Sequence, residues 1–83
     1  MIKFTEYFEY TRKRPDRAEI TIRWIKQVID NPLKTQIQSD GRIRKWGYIR
    51  ELEKYLRVIL LDDGITVHNA FFDRRFKEDK NED

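Results

Sequence analysis

Residues 55–72 read YLRVILLDDGITVHNAFF, and this stretch decides the fold. Leu56, Val58 and Leu60 alternate with Tyr55, Arg57 and Ile59, the period of two of a half-buried strand. Asp63-Gly64 then reads as a two-residue hairpin turn, where glycine takes positive φ without a steric penalty. Closing the hairpin there sets Leu60 opposite Val67, Ile59 opposite His68 and Arg57 opposite Ala70. One face would carry Leu56, Val58, Leu60, Val67 and Phe71; the other would carry Tyr55, Arg57, Ile59, Leu61, Thr66, His68, Ala70 and Phe72. In that register Arg57 and His68 are diagonal neighbours within reach of one another.

The same pattern repeats upstream. Asp40-Gly41 marks a first hairpin, so four strands are expected at about 33–39, 42–49, 55–62 and 65–72, with 51–54 as the link. A two-residue turn at Asp40-Gly41 would place Arg42, Arg44, Trp46 and Tyr48 on one face with Thr35 and Ile37.

Before the strands, the period is that of a helix. Ile20, Trp24, Ile25, Val28 and Ile29 form one apolar stripe, with Arg23, Lys26, Gln27 and Asp30 opposite. Asp16 with Glu19 reads as a capping box that opens this helix, and Asn31-Pro32 closes it. Phe4, Tyr7, Phe8 and Thr11 fit a short helix over about 5–13, although Phe4, Glu6, Phe8 and Tyr10 also fit one face of a strand. The expected architecture is α+β: N-terminal helices packed on a four-stranded antiparallel sheet of two consecutive hairpins. One domain would span 1–76, followed by a charged flexible tail over 77–83.

Composition bounds the chemistry. The chain has 83 residues, enough for a surface groove but not for a large buried cavity. It has no cysteine, which removes disulfides, thiolate metal sites and cysteine nucleophiles. One histidine and no clustered carboxylates leave no metal-ligand set, no glycine-rich phosphate loop is present, and no cofactor is expected. No apolar run is long enough to span a membrane and no signal-like segment opens the chain, so a soluble cytoplasmic domain is expected. The net charge is +3, yet residues 42–57 alone hold six basic and two acidic side chains. Such a focus attracts phosphate-bearing partners, or is a solvated basic sheet face.

Three groups could carry chemistry. His68 titrates near neutrality and suits proton transfer, or is a strand residue satisfied by a neighbour. Arg42, Arg44, Lys45 and Arg57 can hold phosphate, with Trp46, Tyr48 and Tyr55 interleaved to stack unpaired bases; otherwise the aromatics are core and the cations are rim. Asn69, Asp73, Arg74 and Arg75 follow the last strand, where a groove would open or Asp73 would simply cap the exit.

The order of these pieces resembles a known group. N-terminal helices, then Asn31-Pro32, then DGRIRKW (40–46), YLRVIL (55–60) and DGITVHNAFFDR (63–74) are similar to a family of small bacterial domains of uncharacterised activity. That family is grouped with RelE-like and colicin-like ribonucleases of toxin–antitoxin and contact-inhibition systems. The likeness covers about residues 20–75. It implies metal-independent RNA cleavage by 2′-hydroxyl attack, with catalytic His68 as general acid or base, catalytic Arg57 together with Arg44 on the scissile phosphate, and Arg42 at the matching D-G-R-I-R position among the RNA-binding residues. Lys45, Trp46, Tyr48, Tyr55 and Arg74 would complete the RNA-binding set. A cognate antitoxin with an acidic segment would be the protein partner. The tyrosine or histidine that several RelE-like toxins carry near the C-terminus has no counterpart after Phe72. The alternative to a nuclease is a non-catalytic basic module that binds RNA or an acidic protein. A third reading is a homo-oligomer formed through Phe71, Phe72 and Phe76 at an exposed strand edge.

Overall fold

The computed structural model describes residues 2–77. Its elements in chain order are β1 (Lys3–Phe4), α1 (Glu6–Thr11), α2 (Ile22–Asp30), β2 (Lys34–Ile37), β3 (Ile43–Ile49), β4 (Lys54–Leu60) and β5 (Thr66–Phe72). The class is α+β, as expected. The sheet, however, has five strands in the order β1-β5-β4-β3-β2 and is mixed, because β1 runs parallel to β5. The four-stranded antiparallel sheet is thus incomplete by one short strand. Lys3 N–H donates to Ile65 O and Thr5 N–H to Val67 O, so β1 covers part of the β5 edge. Two residues carry no readable alternation, which is why periodicity does not announce this strand.

Both helices start on a threonine. Thr5 Oγ1 accepts from Phe8 N–H and caps α1, which settles the first segment as helix. Thr21 Oγ1 accepts from Trp24 N–H and caps α2. The expected Asp16–Glu19 capping box is therefore not used. Instead two turns follow Pro15, closed by Arg17 N–H to Arg14 O and Ile20 N–H to Arg17 O. They bring Ile20 into the core just ahead of the cap, where it joins the cluster that also holds Ile25, the arrangement of a hydrophobic staple.

The apolar stripe of α2 packs on β3 and β4. Ile25, Val28, Ile49, Leu56, Val58, Leu60 and Val67 are fully buried. Gly47 lies where the helix comes closest, and a Cβ there would come within 2.8 Å of Val28 Cγ2. Among the described residues no helix is long and apolar enough to cross a membrane. From residue 78 on, the expected tail lies outside the described residues.

Two register findings reshape the other face of the sheet. In the first hairpin Ile37 pairs with Ile43, Gln36 with Arg44 and Lys34 with Trp46. The loop is longer by one residue than a two-residue turn: Gly41 N–H donates to Gln38 O, Gln38 N–H donates to Arg42 O, and only Gly41 takes positive φ. Lys34 and Gln36, not Thr35 and Ile37, therefore share the face of Arg44 and Trp46. In the second hairpin Leu60 pairs with Val67 as predicted, but Ile59 pairs with Asn69, Val58 with Ala70 and Arg57 with Phe71. His68 is the extra residue of a β-bulge, and everything beyond it slides by one. Ala70 is consequently buried with the core, while Phe71 joins Arg57.

Candidate nucleic-acid interface

The sheet face turned away from α2 carries most of the predicted site residues. Lys34, Gln36, Arg44, Trp46, Tyr48, Tyr55, Arg57, Ile59, Asn69 and Phe71 share it by register. Lys45 does not. It points to the helix side, where Nζ donates to Ile29 O near the C-terminus of α2 at 3.0 Å, a cation placed on the negative end of the helix. The reason is strand parity: Lys45 alternates with Arg44 and Trp46.

One end of the face is closed. Arg57 donates through Nε and Nη2 to Asp73 Oδ2, at 3.1 and 2.7 Å. Trp46 Nε1–H donates to the same oxygen at 3.0 Å. The guanidinium is sandwiched, 5.4 Å from the Trp46 ring centre and 4.9 Å from that of Phe71. Phe76 stacks on Trp46 at 5.1 Å and meets Tyr55 edge-on. Side-chain exposure is 23% for Arg57 and 9% for Asp73, and Trp46 as a residue is 5% exposed. Burial alone would raise the Asp73 pKa, but the hydrogen bonds from Trp46 and Arg57 outweigh it and hold the carboxyl below its usual value. Arg57 is thus a neutralised, stacked part of the structure, and the Trp46 and Tyr55 rings are occupied by Phe76.

The other end is open. Among the described residues, Arg44 Nη1 meets Gln36 Oε1 at 3.4 Å, and its buried Nε finds no hydrogen-bond partner. Arg42 faces Asp40 at 3.8 Å, an exposed pair worth little in water. His68 Nδ1 is hydrogen-bonded to Thr5 Oγ1 at 3.2 Å, and its ring stacks on Tyr7 at 4.8 Å and 21°. Burial first, and the Arg42 charge second, lower the His68 pKa below 6.5. The imidazole is therefore neutral at pH 7.

The expected Arg57–His68 pair is not formed. Arg57 is held by Asp73, and His68 by Thr5 and Tyr7, because the bulge replaces His68 with Asn69 opposite Ile59 and brings Phe71 opposite Arg57. Arg17 carries no signal in the sequence pattern, yet it donates to Asn69 Oδ1 at 2.8 Å and lies over Phe71 at 5.3 Å. Tyr7 and Thr5 are equally unsignalled as site residues, since nothing in a strand pattern places an N-terminal helix beside residue 68.

Arg74 sits at the end of the sheet, lining adjoining clefts of about 300 and 390 Å³ with Lys54 and Phe72. Asp16, Glu19, Glu53 and Asp73 also line them, so this groove is not a cationic surface. Tyr48 remains half exposed, tilted against Tyr55. The three phenylalanines expected at a self-pairing edge are half-buried and packed within the chain: Phe71 lies beneath Arg17 and Arg57, Phe72 meets Trp24 and Lys54, and Phe76 covers Trp46. Among the described residues no group of three His, Asp or Glu side chains is placed to hold a metal ion. No family model, curated protein or solved structure matches the chain.

Proposed function

We propose that the protein binds single-stranded RNA on the Arg42–Arg44 side of its open sheet face. The observation that carries this reading is the unequal treatment of the arginines. Arg57 is neutralised by a buried carboxylate, whereas Arg44 meets an amide oxygen and Arg42 only an exposed aspartate. A cation with no buried counter-ion is available to phosphate. The half-buried Ile59 and Leu61 lie within this surface, and the half-exposed Tyr7 ring stacks on His68 beside it, a composition suited to unpaired strands rather than duplex.

Anisotropy of a labelled single-stranded RNA, read across a salt series, tests this. Affinity should fall with salt, and Arg44→Ala should weaken binding and flatten the log–log slope by about 0.7 for each phosphate the side chain no longer neutralises. Salt-independent binding, or equal slopes for wild type and Arg44→Ala, would overturn it.

A second reading is favoured by one feature of His68. It is neutral at pH 7 and tied at Nδ1 to a hydroxyl. With Nδ1–H donated to Thr5, Nε2 can accept a proton from a ribose 2′-hydroxyl. The 2′-oxygen then bonds to phosphorus as the P–O5′ bond breaks, and the proton held on His68 passes back, directly or through water, to the leaving 5′-oxygen, giving a cyclic phosphate end and a 5′-hydroxyl end, the reaction suggested by the RelE-like resemblance. Arg42, not Arg57, would face the phosphate charge. Incubation of RNA with protein in EDTA decides it. Cyclic-phosphate products absent with His68→Ala and retained with Arg57→Met would support cleavage; intact RNA leaves binding alone.

A further inference from the structure

Most of the ring faces on the sheet are already in use. Trp46, Tyr55 and Phe76 pack on one another, and Phe71 and Phe72 lie under cations. The Trp46 and Tyr55 platform anticipated for base stacking is thus covered. Tyr7 differs. Its residue is 48% exposed, although its ring stacks on His68 at 4.8 Å. A ring stacked on one side and still half exposed offers aromatic surface to solvent.

That ring is also held in place before any ligand arrives. Thr5 Oγ1 accepts from Phe8 N–H at 3.0 Å and is hydrogen-bonded to His68 Nδ1 at 3.2 Å. Thr5 N–H donates to Val67 O at 3.0 Å. One residue thereby caps α1, orients the imidazole behind Tyr7 and ties both to β5. A platform fixed in this way loses little conformational entropy on binding. By register Arg44 lies opposite Ile59, and Ile59 opposite Asn69, the neighbour of His68, so a cation stands two strands across the face from the platform.

We propose that Tyr7, backed by His68, is a stacking subsite for a nucleobase of the RNA strand whose phosphates meet Arg42 and Arg44. This rests on the RNA-binding reading above. The chemistry fits because every base has a π-face and an exposed ring beside cations is how single strands are held without sequence readout. A phenol backed by a neutral imidazole places no charge against the base.

The test uses the full chain with a labelled decanucleotide of RNA and with an abasic strand of the same length. Tyr7→Ala should weaken RNA binding about tenfold or more and leave the salt slope unchanged, while Tyr7→Phe binds as wild type. On the abasic strand, Tyr7→Ala and wild type should bind alike. In the wild-type protein, RNA should shift the Tyr7 ring proton resonances upfield, a readout that needs no variant. If wild type binds RNA, and neither Tyr7→Ala nor the ring resonances respond, the subsite is wrong and the basic face stands. If wild type binds no RNA at all, the RNA-binding reading itself falls.

Discussion

The two ends of one sheet face treat their arginines in opposite ways. At the Arg57 end a guanidinium, an indole and a carboxylate satisfy one another under Phe76. At the Arg42–Arg44 end the cations meet no buried acid among the described residues, and one buried Nε has no partner there. The two ends are built from the same two strands, β3 and β4, so the difference lies in what reaches over them. Asp73 and Phe76, just past β5, close one end; α1 brings Tyr7 to the other and leaves it accessible. The lesson is that a cluster of arginines in sequence is not one surface. A buried carboxylate turns a cation into structure, and its absence leaves a cation for a partner.

The largest effect that could break this contrast is at Asp73. Asp73→Ala strips the acceptor from both Trp46 and Arg57 and should cost about 3–5 kcal/mol in urea unfolding. An apolar double replacement, Arg57→Met with Asp73→Leu, should recover most of that loss. A loss near zero for Asp73→Ala would mean that the closed end is not closed. Next comes a control on the layer beneath both ends. Gly47→Ala pushes a methyl against Val28 and should cost about 1–3 kcal/mol without changing RNA affinity per folded molecule.

Arg44→Ala sharpens the contrast from the open end. It removes a buried donor that has no partner, so thermal stability should stay within about 0.5 kcal/mol of wild type while RNA affinity falls. Arg57→Met should do the reverse, lowering stability and sparing the salt slope.

The smallest effect is in pH. His68 is harder to protonate folded than unfolded, so the unfolded chain binds more protons. The stability from its neutral form is complete above the unfolded value of 6.5 and drains as pH falls through the lower folded value. Asp73 behaves alike in a more acid window: its ionised form stabilises above 3.8, and this is lost as pH falls through its depressed folded pKa. Melting against pH should therefore show a shallow step below 6.5, absent in His68→Gln, and a separate acid step reduced in Asp73→Asn, its remainder coming from Asp63, whose carboxyl is lowered by hydrogen bonds from Thr66 and Ile65. A single merged step surviving both substitutions would remove the distinction between the ends.

Much of the fold is legible from periodicity. The Ile25–Val28 stripe, the four long strands and both glycine turns follow from local rules, because side-chain spacing and positive φ are properties of a few neighbouring residues. The cationic focus at Arg42 and Arg44 is legible too. The Arg57–His68 pairing is not, because a two-residue turn does not carry its register the full length of a hairpin. One residue more in the Gln38–Arg42 loop, and the bulge at His68, each move a set of side chains to new neighbours.

By itself, then, the chain's order of residues determined the second helix, four of the five strands and their largely apolar face, and that a surplus of positive charge crosses β3 and β4. Only the tertiary structure decided which cations are neutralised and which remain. That choice depends on whether a carboxylate from beyond β5, or a tyrosine from an N-terminal helix, arrives at a given row of the sheet. Pairs as distant along the chain as Thr5 and His68 leave no periodic trace in the sequence, because they are set by how finished elements pack and not by local spacing.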